Sequence, residues 1–208
     1  MIDRDKQIAR DEYYMSVAKA IEVGADCYGT KVGALVVLKN RIVSTGYNGT
    51  PEGFTNCEDD GCVRCRDRWL EKQGRAAEMT DPTHTEGRSL DRCICVHAEQ
   101  NAFLTAARFG IGLDGGVLYT TQSPCFNCLK EAVQAGIERV VYGSWYRAKY
   151  SPSLVQQYRA LCAHLSKGEP WQFEAVGGGQ PSFEEGQPDP YLESDRESVP
   201  LDPPSANG

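Results

Sequence analysis

The sequence predicts an α/β fold, a three-layer α/β/α sandwich around a central mixed sheet of five strands. Five stretches have the apolar or alternating character of strands, and four have the 3.6-residue period of helices. In chain order they read α-β-β-α-β-α-β-α-β, which puts helices on the faces of one sheet. A length of 208 residues suffices for one domain with a sizeable core plus appendages.

Residues 4–24 carry Tyr14, Val17, Ala18 and Ile21 at helical spacing, and Gly24 marks the stop. The apolar run 32–38 is a buried strand, Lys39-Asn40 a tight turn, and 41–47 the returning strand. Asn48-Gly49-Thr50-Pro51 is a turn at its end. Residues 52–95 show no clean period and hold Cys57, Cys62, Cys65, Cys93 and Cys95; a loop this long in a small domain is functional or held by something. Next come a helix over 97–109, a strand over 116–121, a helix over 125–135 and a strand over 139–142. A helix over 154–165 and an edge strand over 171–176 complete the domain, 1–176. Residues 177–208 contain six of the eleven prolines and a net charge of −6, and are expected to be a disordered acidic tail.

The chain's net charge is −7, so outside the tail it is close to neutral. That lacks the electrostatic footprint of a protein gripping a long nucleic acid and favours a small substrate. No run of 18 apolar residues is present, so no membrane partner is expected. The charged start Met1-Ile2-Asp3-Arg4-Asp5-Lys6 lacks a secretory core, and nine cysteines at C-x-x-C and C-x-C spacings point to metal ligands in a reducing, cytoplasmic setting.

The chemistry concentrates in His97-Ala98-Glu99 and Pro124-Cys125-Phe126-Asn127-Cys128. His97, Cys125 and Cys128 supply one imidazole and two thiolates. Three protein ligands leave the fourth tetrahedral position of Zn²⁺ to water, the catalytic pattern. Glu99 is placed to handle protons beside that water. Ser123 as a cap and Pro124 at the first helical position predict a helix start, with Cys125 and Cys128 in its first turn on one face, where the helix dipole favours thiolate. A structural zinc site has no use for a carboxylate at position 99, which counts against a nonenzymatic scaffold. A second, structural zinc with four Cys ligands is expected from the remaining cysteines. Local spacing favours the Cys62/Cys65 pair, with Cys95 a rival to Cys93.

These motifs resemble the deoxycytidylate (dCMP) deaminases of the cytidine deaminase-like superfamily, over about residues 10–146. The resemblance rests on Arg10-Asp11-Glu12-Tyr13-Tyr14-Met15, Lys31-Val32-Gly33-Ala34, Thr45-Gly46-Tyr47-Asn48-Gly49-Thr50-Pro51, His97-Ala98-Glu99-Gln100-Asn101-Ala102 and Ser123-Pro124-Cys125-Phe126-Asn127-Cys128. The Gly-Tyr-Asn-Gly turn and the Cys-bearing insertion separate this group from tRNA adenosine deaminases, and free cytidine deaminases usually carry Cys where His97 stands. The acidic tail departs from the family pattern.

The resemblance implies a cytidine deaminase-like fold and hydrolysis of dCMP to dUMP and ammonia, feeding dTMP synthesis. Glu99 would carry protons from the activated water to N3 and to the leaving amino group. It implies Asn48 and Tyr146 as substrate contacts, and Cys27, Cys57, Cys62 and Cys93 as ligands of the structural zinc. It further implies a homohexamer controlled by dCTP and dTTP, with Mg²⁺ accompanying a nucleotide effector. The alternatives are deamination of another cytosine nucleoside or nucleotide, or of a polynucleotide base.

Overall fold

The computed structural model describes residues 4–81, 93–146, 150, 152–166 and 173–176. The tail at 177–208 lies outside the described residues. The elements are α1 (Arg4–Glu22), β1 (Gly33–Leu38), β2 (Arg41–Tyr47), α2 (Val63–Lys72), α3 (Ala98–Arg108), β3 (Val117–Gln122), α4 (Phe126–Gln134), β4 (Arg139–Ser144), α5 (Pro152–Ser166) and β5 (Phe173–Ala175). The expected sandwich is present. Four strands of six or seven residues and the short edge strand β5 form one sheet in the order β2-β1-β3-β4-β5. β1 is antiparallel to β2 and β3, while β3, β4 and β5 run parallel. Lys39 and Asn40 both take positive φ, the two-residue turn whose twist suits a hairpin.

Strand alternation sorts the core into two faces. Ala34, Val36, Leu118, Val140 and Tyr142 point to the side covered by α3, α4 and α5, where they meet Ala102, Leu129 and Tyr158. Leu35, Val37, Tyr119 and Val141 point to the other side, against Tyr14, Met15 and Ala18 of α1. Gly46 on β2 lets α3 lie directly on the strand: a Cβ there would strike the backbone of Ala98 and Ala102. Ser44 Oγ donates to Ala102 O, and Asn101 Nδ2 donates to Tyr47 O at 2.7 Å, fixing α3 in place. On the opposite face, the buried pair Asp11–Arg139 pins α1 to β4.

The main departure from expectation is α2, inside the segment read as aperiodic. Its buried residues are Arg64, Cys65, Asp67 and Leu70, so one aliphatic side chain stands among charges and a thiol. The inward face of such a helix leaves no apolar period to find. Asp67 is fully buried because its carboxylate accepts the backbone N–H groups of Thr80 and Asp81, at 3.0 and 2.7 Å. Among the described residues no helix is long and apolar enough to cross a membrane.

Candidate active site

The carboxyl ends of β2, β3 and β4 meet at one edge of the sheet, the usual place for a ligand in an α/β layer. Each end delivers part of a cleft: Asn48 follows β2, Cys125 follows β3 and Tyr146 follows β4. His97 arrives from the adjoining segment, which Gly49 and Val96 tie to the end of β2 by a reciprocal backbone pair of 3.2 and 2.8 Å.

His97 is the N-cap of α3 and Cys125 the N-cap of α4, so two helix starts converge. His97 Nδ1 lies 3.5 Å from Cys125 Sγ and 3.4 Å from Cys128 Sγ. A tetrahedral zinc with bonds of about 2.0–2.1 Å to nitrogen and 2.3 Å to sulfur has a nitrogen–sulfur edge of about 3.6 Å. The three side chains therefore fit that ion in both chemistry and spacing. Hydrogen bonding from Cys128, and then from His97, pulls the Cys125 thiol down to about 4 against its burial. The contact with Cys125, and then burial, push the Cys128 thiol well above its ordinary value.

Gln100 ties the ligand helices together. Its Oε1 accepts the His97 backbone N–H at 3.1 Å and its Nε2 donates to Glu131 of α4 at 3.0 Å. Two tyrosines hold the turn before α4. Tyr150 OH accepts the Phe126 N–H at 2.9 Å, and Tyr158 OH donates to Pro124 O at 2.7 Å. The sequence placed the helix start two residues early, with Ser123 as its cap. Cys125 is the N-cap instead, and Ser123 Oγ accepts the backbone N–H of Tyr146 at 2.7 Å, joining the ends of β3 and β4.

Glu99 sits in the first turn of α3, is 4% exposed and lines the same cleft as His97 and Cys125. Burial raises its carboxyl to about 7. Asn48 and Tyr146 also line the cleft. The Asn48 amide holds the chain ahead of β1: Oδ1 accepts the Val32 N–H at 2.7 Å and Nδ2 donates to Thr30 O at 2.9 Å. One amide N–H remains for a ligand.

Sequence reasoning missed the opposite wall. Arg64, Arg68 and Lys72 recur every four residues along α2, share one helix face and line the cleft. Arg64 is 9% exposed, and its Nε has no hydrogen-bond partner among the described residues. Tyr28 and Trp69 pack with their rings tilted by 35° and centroids 5.4 Å apart, and line the cleft beside them. The four-residue basic spacing was legible in Val63–Lys72, but only to a reader who already knew the segment was helical.

The spare cysteines also come together: Cys27, Cys57, Cys62, Cys65 and Cys95 cluster with Cys93 packed against them. Two quartets form, Cys27/Cys57/Cys65/Cys95 and Cys62/Cys65/Cys93/Cys95. The set implied by the resemblance, Cys27, Cys57, Cys62 and Cys93, is divided two and two between them; Cys65, favoured by local spacing, and Cys95, the rival to Cys93, belong to both. The cause is the α2 start, which turns Cys62 and Cys65 to one side one turn apart.

Comparison with known proteins agrees with this geometry. Residues 8–144 match the family described as the cytidine and deoxycytidylate deaminase zinc-binding region. A deoxycytidylate deaminase of Schizosaccharomyces pombe is 37% identical over 147 residues, which is 70% of this chain and 41% of that protein. One from Mycobacterium phage D29 is 40% identical over 132 residues, 64% of this chain and 92% of the phage protein. The chain thus spans about two-fifths of the yeast relative but nearly all of the phage one. The crystal structure of the dCMP deaminase from cyanophage S-TIM5 in complex with dCMP and dUMP superposes with a TM-score of 0.54 at 30% identity, covering 84% of this chain and 98% of the other. With residues 8–144 matched and the zinc-type triplet lying within that span, the chain belongs to the cytidine and deoxycytidylate deaminase family.

Proposed function

We propose that this protein hydrolyses dCMP to dUMP and ammonia. One observation carries the reading: a buried carboxylate, Glu99, and a zinc-type His-Cys-Cys triplet share a cleft with three cationic side chains of α2. The first two suit hydrolysis at a polarised ring carbon. The cations suit the 5′-phosphate, which a nucleoside lacks.

Zinc held by His97, Cys125 and Cys128 supplies a Lewis acid that lowers the pKa of a water from about 15.7 toward about 7. Glu99 accepts a proton from the attacking water and delivers it to N3, which makes C4 electrophilic. It then carries the second water proton to the 4-amino group, which departs as ammonia. Asn48 presents its remaining amide N–H to the sugar, and Tyr146 borders the nucleotide. Tyr28 and Trp69, with Arg64, Arg68 and Lys72, close the phosphate end.

None of the nine cysteines is in a disulfide and eight of them fall in metal-type clusters, which supports a reducing, cytoplasmic setting. The homohexamer implied by the resemblance has a supporting surface in an apolar groove between α3 and α4, lined by the exposed Leu104 and Ile111. Control by dCTP, with Mg²⁺, and by dTTP is carried over from the resemblance in the same way.

Ammonia release from dCMP, deoxycytidine, dCTP and a short single strand, measured side by side, tests the proposal. The expected order puts dCMP well above the others in kcat/KM. A higher value for deoxycytidine would remove the phosphate-reading role of α2, and a higher value for the single strand would make the protein a polynucleotide editor.

A further inference from the structure

We infer that Cys27, Cys57, Cys62, Cys65, Cys93 and Cys95 form a single binuclear thiolate site holding two zinc ions, with Cys65 and Cys95 shared between them. Cys27 and Cys57 complete the coordination of one ion, and Cys62 and Cys93 that of the other. The site is separate from the His97 triplet.

The spacing matches two tetrahedra joined along an edge. In each quartet all four sulfurs lie within 4.8 Å of one another. A tetrahedron with zinc–sulfur bonds of about 2.3 Å has edges of about 3.8 Å. The Sγ–Sγ distances are 3.8 Å for Cys27–Cys65, 3.8 Å for Cys62–Cys93 and 3.5 Å for Cys65–Cys93. The edge common to both quartets, Cys65–Cys95, is 4.0 Å. Six ligands satisfy two four-coordinate ions only when two are shared, and the geometry supplies two shared positions.

A single ion leaves two of the six thiols without a role. The cluster is not an ordinary apolar core, because its packing partners are one another and Tyr28, with no aliphatic side chain among them. An iron–sulfur cluster takes four cysteines and would also leave two over. Charge favours two ions as well. Four thiolates around one Zn²⁺ carry −2, and six around two Zn²⁺ also carry −2. The second ion thus recruits two more ligands at no added net charge. Arg64, next to Cys65 in α2 and buried with an unpartnered Nε, sits in the same cleft wall as Cys65, Cys93 and Cys95 and complements that charge. Backbone N–H groups already point at two of the sulfurs: Tyr28 N donates to Cys57 Sγ and Gly29 N to Cys27 Sγ, each at 3.4 Å. Outer contacts of this kind orient thiolate ligands.

The ligands come from four chain segments: the loop after α1, the turn at Cys57, the start of α2 and the segment leading to His97. Closing these onto two ions holds an insertion that has little apolar surface of its own.

The test is the metal content of the zinc-saturated full chain, by native mass spectrometry and elemental analysis. The expected count is three zinc per chain in the parent and two in His97→Ala. Two in the parent and one in His97→Ala would overturn the shared-thiolate arrangement. Iron with acid-labile sulfide would overturn it equally. Cobalt substitution of His97→Ala reads the bridging directly. Two cobalt ions sharing thiolates couple magnetically, so the moment per cobalt falls as the second equivalent is added; a constant moment refutes sharing. Cys27→Ser should release one ion and Cys65→Ser both. If those variants fail to fold, the parent count and the cobalt titration still decide.

Discussion

Replacing Asp11 by Ala is expected to destabilise the fold by about 3–5 kcal/mol, the cost of leaving a buried charge uncompensated. Arg139 donates to both Asp11 oxygens, at 2.8 and 2.6 Å, and Tyr119 OH donates to Oδ1 at 2.7 Å. With 7% of Asp11 and 5% of Arg139 exposed, water neither screens the pair nor rescues the survivor. For a chain of this size each kcal/mol lowers Tm by about 2–4 °C, so the loss is about 6–20 °C for the zinc-loaded protein at pH 7. The pH dependence has a definite sign. Burial pushes the Asp11 carboxyl up, but the bonds from Arg139 and Tyr119 outweigh it and hold the group below its usual 3.8. A depressed carboxyl stabilises fully above its unfolded value and loses that contribution as pH falls through its folded value. The Tm gap between parent and Asp11→Ala should therefore be constant above about pH 5 and shrink below about pH 4. Zinc-ligand protonation affects both proteins and cancels in the difference. Asp11→Leu combined with Arg139→Met should recover most of the loss. A single-variant cost under about 1 kcal/mol, or a gap that persists unchanged into acid, refutes the reasoning.

Glu99→Gln should keep its zinc and lose at least about a hundredfold in kcat, because the amide fills the same space but cannot accept the proton; metal analysis beside steady-state kinetics checks both halves. Arg68→Ala should raise KM for dCMP by about 10- to 150-fold, the worth of a hydrogen bond to a charged group, while leaving turnover of deoxycytidine unchanged. Gly46→Ala should cost about 1–3 kcal/mol or more, since the added methyl meets α3 backbone that cannot rotate away, and should loosen zinc because Ala98 adjoins His97; denaturation and zinc-retention assays read these effects. A chain ending at residue 176 should match the parent in activity and Tm; loss of either would make the tail part of the working enzyme.

What could be read from the sequence follows from which interactions are local. Strand 32–38 announced itself because both its faces are covered, and 41–47 because a two-residue turn joins it to the first. The His97 and Cys125/Cys128 ligands were legible because each opens a helix, and helix starts leave sequence marks. The full set of cysteines that cluster with Cys65 and Cys95 was not legible. They come from segments far apart in the chain, and spacing cannot say which thiols share a vertex. The role of Asp11 was equally hidden: it stood inside a recognised motif, yet its partner Arg139 is 128 residues away. Ser123 was misread for a different reason. A Ser-Pro pair before a helix is a good cap in isolation, but here the hydroxyl meets the Tyr146 N–H, a partner 23 residues away that local sequence does not show.

The position of α2 links the cysteine cluster to substrate choice. A helix with one buried aliphatic residue cannot be held by hydrophobic packing; one fully buried Leu contributes only about 1.5–3 kcal/mol. It is held as well by the Asp67 carboxylate, the bonds of Arg66 to Asp60 and Thr80, the tilted Tyr28–Trp69 ring pair and the two thiols at its start, Cys62 and Cys65. Those thiols lie at the same end of the helix as Arg64, and Cys95 stands two residues before His97. With zinc bound as inferred above, the cluster would set the distance between the cations on one wall and Glu99 on the other. A rigid thiolate hub can do this where a packed core cannot, because it sets geometry through short bonds and needs no apolar area. The cleft wall can then remain polar enough to accept a charged nucleotide, which an aliphatic anchor in the same place would exclude.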